Sequence, residues 1–169
     1  NAAGKAIIFL QENGIQTMEQ LREKTEDITN RGNELLASVK ESEKKMAEIA
    51  ALRKHIINYA KTREAYVAYR KAGYSSKFYE AHREELSLHM AAKAAFDQLE
   101  TSTIPKVKEL NAEYAEILER KKKAYAEYRK IRPEMQNYQI ALKVAEACVG
   151  EETEQEINQK EQERPSAQR

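Results

Sequence analysis

The three histidines are the side chains that titrate nearest to neutral pH, so they are the first candidates for acid–base or metal chemistry. His82 and His89 are seven residues apart and would share one face of a helix, while His55 stands elsewhere in the sequence. No two of them have a metal-ligand spacing with a third ligand at hand, and the sequence has no glycine-rich phosphate loop. The carboxylates mostly neighbour lysine or arginine at helical spacing, as on a solvated helix face. We therefore predict structural or solvated roles for the histidines, no catalytic residue, no metal, no cofactor and no enzymatic activity of this chain.

A basic, tyrosine-rich zone is the other group of residues that could carry a function. Residues 51–80 contain seven lysines and arginines against two glutamates, residues 119–132 show the same balance, and seven of the nine tyrosines lie in these stretches. Basic side chains attract phosphates, and exposed aromatic rings stack on unpaired bases for ~1–3 kcal/mol each. The predicted nucleic-acid contacts are Arg53, Lys54, Lys61, Arg63, Arg70, Lys121, Lys122 and Lys123. In the alternative interpretation, the tyrosines pack helices together and the lysines keep the surface solvated.

The composition indicates one domain built from long helices. The 169 residues are 34% charged and 41% apolar, with five glycines, three prolines and no tryptophan. With 29 basic and 28 acidic residues the net charge is only +1, so the charge of the whole chain gives no argument for nucleic-acid binding. Only a local basic patch could support such binding.

One cysteine, Cys148, excludes an internal disulfide and a cysteine-based zinc site. It stands among small apolar residues, and we predict that it is buried as a small hydrophobic side chain. No apolar run reaches the ~20 residues that cross a membrane, so we expect no membrane partner and a cytoplasmic location. The chain starts at Asn1 and not at methionine, from which we expect it to be part of a longer protein.

The helix predicted over residues 17–72 organises the rest of the chain. From Met18 its apolar or small residues recur in alternating steps of three and four, the 3.5-residue period of a seam that faces a partner helix. The positions are Met18, Leu21, Thr25, Ile28, Gly32, Leu35, Val39, Ser42, Met46 and Ile49. Thr17 and Gln20 match a capping box at the start, and Gly32 is the position where a bend or break is expected.

A second seam of the same period predicts the partner helix over residues 105–149. It runs through Val107, Leu110, Tyr114, Ile117, Lys121, Ala124, Tyr128, Ile131, Met135, Tyr138, Leu142, Ala145 and Val149, with Pro133 inside it. The predicted fold class is all-α: an elongated antiparallel helical hairpin of the coiled-coil kind. In this hairpin we expect Arg53 and Lys54 to lie level with Lys121 to Lys123.

Three further segments complete the predicted organisation. Residues 1–14 form a short apolar helix that ends at Asn13-Gly14, and residues 75–100 form a helical tip over the end of the hairpin. Residues 150–169 are rich in glutamate with a single isoleucine, which predicts a flexible or frayed charged tail.

Several of these stretches resemble the C-terminal helical region of mobilization relaxases from conjugative and mobilizable elements of Firmicutes-type gut bacteria. The resemblance rests on residues 9–15 (FLQENGI), 46–63 (MAEIAALRKHIINYAKTR), 66–75 (YVAYRKAGYS), His89 with 91–97 (AAKAAFD), and 121–129 (KKKAYAEYR). It runs over most of residues 6–149, and its most distinctive string is Tyr69-Arg-Lys-Ala-Gly-Tyr-Ser75. Pro133 departs from the acidic or alanine residue that the resemblance leads us to expect there.

The resemblance implies a parent protein that nicks DNA at a transfer origin through a metal-binding histidine cluster and a nucleophilic tyrosine in an N-terminal nuclease domain. None of that motif can be matched to residues of this chain. The implied function is therefore that of a non-catalytic accessory region, used in plasmid or transposon mobilization. Its implied partners are DNA near the transfer origin, of unspecified strandedness, and other relaxosome or coupling proteins. The alternative is a structural coiled-coil spacer or a dimerisation module that forms a homodimer without binding nucleic acid.

Overall fold

The structure is a computed structural model that describes residues 1–164, and these residues form five α-helices and no strand. The helices are α1 (Ala2–Glu12), α2 (Met18–Lys71), α3 (Ser76–Ala81), α4 (Arg83–Asp97) and α5 (Val107–Gln162). The helical hairpin predicted from the two seams is confirmed, with α2 and α5 as its long arms.

The chain divides into two compact units. Unit 1 contains Asn1–Ala37 and the chain from Ala124 onward, and unit 2 contains Ser38–Lys123. In unit 1, Arg22 pairs with Glu146, and Arg31 pairs with Glu127. From the first pair to the second, the residue number rises on α2, from 22 to 31, and falls on α5, from 146 to 127. Unit 2 shows the same order, and the two arms are therefore antiparallel in each unit.

The two predicted seams form the core of each unit. All ten seam positions of α2 are buried or half-buried, and so are those of α5 except Val149, which is 47% exposed. The core of unit 1 is centred on Leu21, Tyr138 and Ala141, and that of unit 2 on Met46, Ile49, Leu110 and Ile117. Burying each large aliphatic side chain contributes about 1.5–3 kcal/mol. Packing along the seams is therefore what holds helices of this length together.

Gly32 does not break α2, which runs from Met18 to Lys71 as one helix. The glycine is buried, and a Cβ atom at its position would lie 2.7 Å from the sulfur of Met135 and 3.8 Å from the ring of Tyr128. Gly32 therefore lowers helix propensity by about 1 kcal/mol but makes room for two large side chains of α5.

The ends of α1 and α2 form largely as the sequence predicts. Gly14, with φ +65°, follows α1, and the backbone N–H of Gln20 donates to the hydroxyl of Thr17 over 3.1 Å. The side chain of Gln20 accepts from the N–H of Gln16 and not from that of Thr17, so the reciprocal half of the capping box is shifted by one residue.

The predicted helical tip is confirmed as α3 and α4. Gly73 and Tyr74 both have positive φ, at 66° and 58°, and turn the chain after α2. The hydroxyl of Ser75 then accepts from the N–H of Phe78 and caps α3.

Helix α5 differs from its prediction at both ends. It begins at Val107, two residues after Pro105, and continues to Gln162, through Gly150 and past the predicted end at Val149. Glutamate, glutamine and lysine favour helix, and Glu156 precedes Lys160 by four residues, the favourable order of charges. Within the described residues the tail is therefore helical to Gln162, and its residues 165–169 lie outside them.

Cys148 is exposed on α5, so the prediction that it is buried was wrong. All residues from Glu146 to Arg164 are exposed, because no other helix covers this part of α5 in unit 1. The apolar neighbours of Cys148 in the sequence therefore give no information about its burial.

Candidate nucleic-acid interface

The eight predicted contact residues all lie in unit 2 and differ in exposure. Lys54, Lys61, Arg63, Arg70, Lys122 and Lys123 are exposed, whereas Arg53 and Lys121 are half-buried. The two half-buried residues are held by contacts between α2 and α5.

Arg53 binds across the hairpin. Its Nη1 donates to Oδ1 of Asn111 over 2.7 Å, and its guanidinium lies 5.7 Å from the centre of the Tyr114 ring. The cation–π contact and the hydrogen bond fix the side chain along α5. Part of its hydrogen-bonding capacity is thereby used within the protein.

Two of the three lysines on α5 already have carboxylate neighbours. Nζ of Lys121 lies 3.1 Å from Glu43 on α2, and Nζ of Lys122 lies 3.9 Å from Glu119 on its own helix. Lys123 is in no ion pair among residues 1–164. The excess of positive charge on this segment is therefore smaller than the sequence count indicates.

The prediction that Arg53 and Lys54 lie level with Lys121 to Lys123 was wrong. Lys121 lies opposite Glu43 and Arg53 lies opposite Asn111, so the two basic groups are separated by ten residues of each helix. Ten residues of α-helix span about 15 Å. Apolar spacing could not determine this register, because moving one seam along the other by a heptad keeps apolar positions in contact.

The four exposed contact residues of α2 form two stripes. Lys54 and Lys61 are seven residues apart and share one stripe, and Arg63 and Arg70 share another. Lys61 and Arg63 are two residues apart, which places them about 200° apart around a helix of 3.6 residues per turn. The stripes therefore lie on opposite sides of α2, with the buried Thr62 between them. None of the four is in an ion pair within the described chain.

Most tyrosines of residues 59–79 pack α2 against the helical tip. Tyr59 and Tyr66 stack on the ring of His89 at centroid distances of 4.5 and 4.4 Å. Tyr69 contacts the rings of Phe78 and Tyr79 on α3. These contacts agree with the packing interpretation, since one face of the Tyr59 ring and one face of the Tyr66 ring are already covered by His89. The two most exposed tyrosines are Tyr74 and Tyr125, at 58% and 48%.

His89 is the centre of this aromatic packing and is 1% exposed. The hydroxyl of Thr62 donates to the carbonyl of Asn58 over 2.7 Å and lies 2.9 Å from Nδ1 of His89. Because the single hydroxyl proton goes to the carbonyl, Nδ1 of the imidazole carries a hydrogen and donates it to Thr62. Burial, with a smaller contribution from the charge of Lys93, lowers the pKa of His89. The ring is held neutral, as a structural part of the tip.

The other two histidines do not join His89. His82 is exposed and stacks on Phe78 at 4.3 Å, while Nδ1 of His55 is buried without a hydrogen-bond partner. Within residues 1–164 no group of histidine, cysteine or carboxylate side chains is arranged to hold a metal ion.

A cleft beside His55 was not foreseen from the sequence. It has a volume of about 620 Å³, and apolar side chains of three segments line it, Leu52, Leu99 and Leu110 among them. Glu48 and Glu113 are its acidic residues. Two carboxylates at this cleft disfavour phosphate, so it does not extend the candidate interface.

In the part of the chain that the structure describes, none of the helices is long and apolar enough to cross a bilayer.

No protein family model, no curated protein and no solved structure matches this chain.

Proposed function

We propose that this chain is a non-catalytic accessory region that contacts DNA phosphates through the exposed cations of α2. We further propose that its parent is a cytoplasmic mobilization relaxase, and that other relaxosome or coupling proteins bind the same region. The resemblance of residues 6–149 supports this parentage, and sequencing the gene upstream tests it. An upstream reading frame without a nuclease domain would contradict it.

The proposed DNA contact is supported by two properties of four basic side chains, their exposure and their lack of ion pairs. Lys54, Lys61, Arg63 and Arg70 are exposed, and no carboxylate neutralises them within the described residues. Free cations of this kind release counterions from a nucleic acid when they bind its phosphates. The tyrosines do not add to the argument, since most of them are used for packing.

Fluorescence anisotropy with single-stranded DNA over a series of salt concentrations tests the proposal. Two double variants separate the stripes: Lys54→Ala with Lys61→Ala, and Arg63→Ala with Arg70→Ala. Each phosphate contact on a single strand contributes about 0.7 to the slope of log K against log salt, so loss of two contacts lowers the slope by about 1.4. We expect this loss for the stripe that faces the DNA.

The matched control is the double variant Lys24→Ala with Lys143→Ala, which removes two exposed lysines of unit 1. It should leave the slope within about 0.3 of that of the wild type. The absence of binding by the wild type at low salt would refute the DNA contact, and so would equal losses in all three double variants.

The second candidate function is a structural spacer or dimerisation module without nucleic-acid binding. The cross-hairpin contacts of Arg53 and Lys121 and the internal packing of the tyrosines favour it, because these residues already have partners within the protein. Sedimentation over a range of concentrations tests the dimerisation part, and a strict monomer would exclude it.

A further inference from the structure

Helix α1 leaves part of its apolar surface uncovered. Its run from Ala6 to Leu10 is entirely apolar, and the ring of Phe9 packs edge-on against Tyr138 at 4.9 Å. Ile7 and Ile8 are nevertheless 55% and 56% exposed. A helix that is apolar on most of its circumference is typical of a buried position, so the inner contacts of α1 use only part of its apolar surface.

The uncovered surface of α1 continues onto α5. Asn1, Lys5, Ile8 and Glu12 follow one another in steps of four, three and four, which places them on one face of the helix. This face borders a groove of about 500 Å³, whose other wall is α5 at Asn137, Ile140 and Ala141. Ile140 is 59% exposed. We call Lys5, Ile8, Glu12 and Ile140 the α1 face.

The two charged residues of α1 are placed against the helix dipole. Lys5 stands in the first turn and Glu12 is the last helical residue, although a helix favours acidic residues at its start and basic ones at its end. Neither residue is in an ion pair within residues 1–164. Neither charge is therefore balanced by an ion-pair partner within a single copy.

We propose that the α1 face binds the same face of a second copy of this chain, with the two α1 helices antiparallel around a twofold axis. Lys5 and Glu12 lie at equal distances on either side of the midpoint between Ile8 and Phe9. An antiparallel partner therefore places its Glu12 beside Lys5 and its Lys5 beside Glu12. Each helix start then receives a negative charge and each helix end a positive one.

The same arrangement covers the exposed side chains of Ile8 and Ile140. With the axis near Ile8, the Ile8 side chains of both copies meet at the centre, and Ile140 adds to the edge of the patch. A contact around a twofold axis joins one patch to itself, so each attractive pair occurs twice. An apolar centre with charged residues at its rim is the usual anatomy of such an interface.

This inference gives the dimerisation candidate a specific surface and does not depend on DNA binding. The seams of α2 and α5 are occupied by each other within one chain, so they are not free to join two copies. The experiments below use the chain without DNA, and their outcome leaves the proposed DNA contact to its own test.

Sedimentation equilibrium of the full chain from micromolar to millimolar concentration measures the self-association. We expect the wild type to form dimers and Ile8→Glu to raise the dissociation constant at least tenfold. The matched control is Ile157→Glu, which changes an isoleucine of similar exposure, 52% against 56% for Ile8, outside the α1 face. It should leave the dissociation constant unchanged.

Charge exchange tests the antiparallel pairing. Lys5→Glu and Glu12→Lys each turn two attractive pairs into two repulsive ones and should weaken the dimer about tenfold, since exposed ion pairs are individually weak and two of them change. The double variant with both changes restores opposite charges and should dimerise as the wild type does. An equimolar mixture of the two single variants should form heterodimers, because glutamates of one copy then face lysines of the other.

Circular dichroism of each variant establishes that the helices are intact. A wild type that stays monomeric at millimolar concentration would overturn the proposal. Dimers that tolerate Ile8→Glu, or that the double charge exchange fails to restore, would overturn it as well.

Discussion

The imidazole of His89 donates to the hydroxyl of Thr62 over 2.9 Å, across the contact between α4 and α2. Tyr59 and Tyr66 lie on the two sides of the same imidazole, at centroid distances of 4.5 and 4.4 Å. One polar pair inside an aromatic cluster thus joins the helical tip to the long helix.

Removing the acceptor of this hydrogen bond should destabilise unit 2. Thr62→Val keeps the shape of the side chain and leaves the N–H of His89 buried without a partner, a loss of about 1–3 kcal/mol. Urea unfolding followed by circular dichroism measures it. Thr153→Val is the control, because Thr153 is exposed and makes a similar bond to its own helix. A change within about 0.5 kcal/mol is expected there, and equal losses at both sites would contradict the role of the pair.

Stability should fall as the pH is lowered through the range below 6.5. Burial lowers the folded-state pKa of His89, with the nearby Lys93 as a smaller cause, so the unfolded chain takes up a proton before the folded chain does. The contribution of the neutral imidazole is complete above the unfolded pKa of about 6.5 and is lost as the pH falls towards the lower folded value. Urea titrations between pH 7.5 and 5.5 measure the effect.

The variant His89→Gln should flatten this pH dependence, although it will lower stability at every pH. His82→Gln is the control, because His82 is exposed, and it should retain the slope of the wild type. A slope that survives in His89→Gln would show that another group causes it.

Enlarging Gly32 should destabilise unit 1. A Cβ atom there already meets Met135 at 2.7 Å, so Gly32→Leu forces side chains or helices apart and should lower the free energy of unfolding by about 1–3 kcal/mol. Gly150→Leu is the matched control on α5, where a Cβ atom has no neighbour within 4 Å. The control should gain up to about 1 kcal/mol, since leucine favours helix more than glycine does. A stable Gly32→Leu variant would contradict the close packing of the seam.

Two leucines of α4 provide a test of the tip. Leu86 is fully buried and Leu88 is 39% exposed. Leu86→Ala should lower the free energy of unfolding by about 2–5 kcal/mol through lost burial and a cavity. Leu88→Ala should cost less than about 1 kcal/mol. Similar values for the two variants would contradict the burial of Leu86.

The helical architecture could be predicted from the sequence because it depends on spacing. The positions from Met18 to Ile49 repeat every 3.5 residues, and a helix places such positions on one side whatever its partner is. The turn at Gly73 and the cap at Ser75 depend on the local backbone alone, and glycine and serine are residue types that favour them.

The candidate site was less predictable because it depends on register and orientation. Asn111 and Glu43 decide the environments of Arg53 and Lys121, and nothing in the spacing of the seams assigns these partners. A count of charges also cannot show that Lys61 and Arg63 lie on opposite sides of α2. The uncovered face of Ile8 was missed because an apolar run predicts burial and does not reveal which side of a helix lacks a neighbour.

The exposed end of α5 has a consequence for how that segment stays helical. From Ala147 to Gln162 no side chain is buried, and within the described residues no ion pair joins these turns to another helix. Starting a helix is the unfavourable step and adding turns to an existing one is easy, so the packed part of α5 acts as the nucleus for the rest. Gly150→Pro would cut the segment off from that nucleus, and amide hydrogen exchange should then speed up from residue 151 onward. The same exchange rates on both sides of the substitution would mean that the segment has a support of its own.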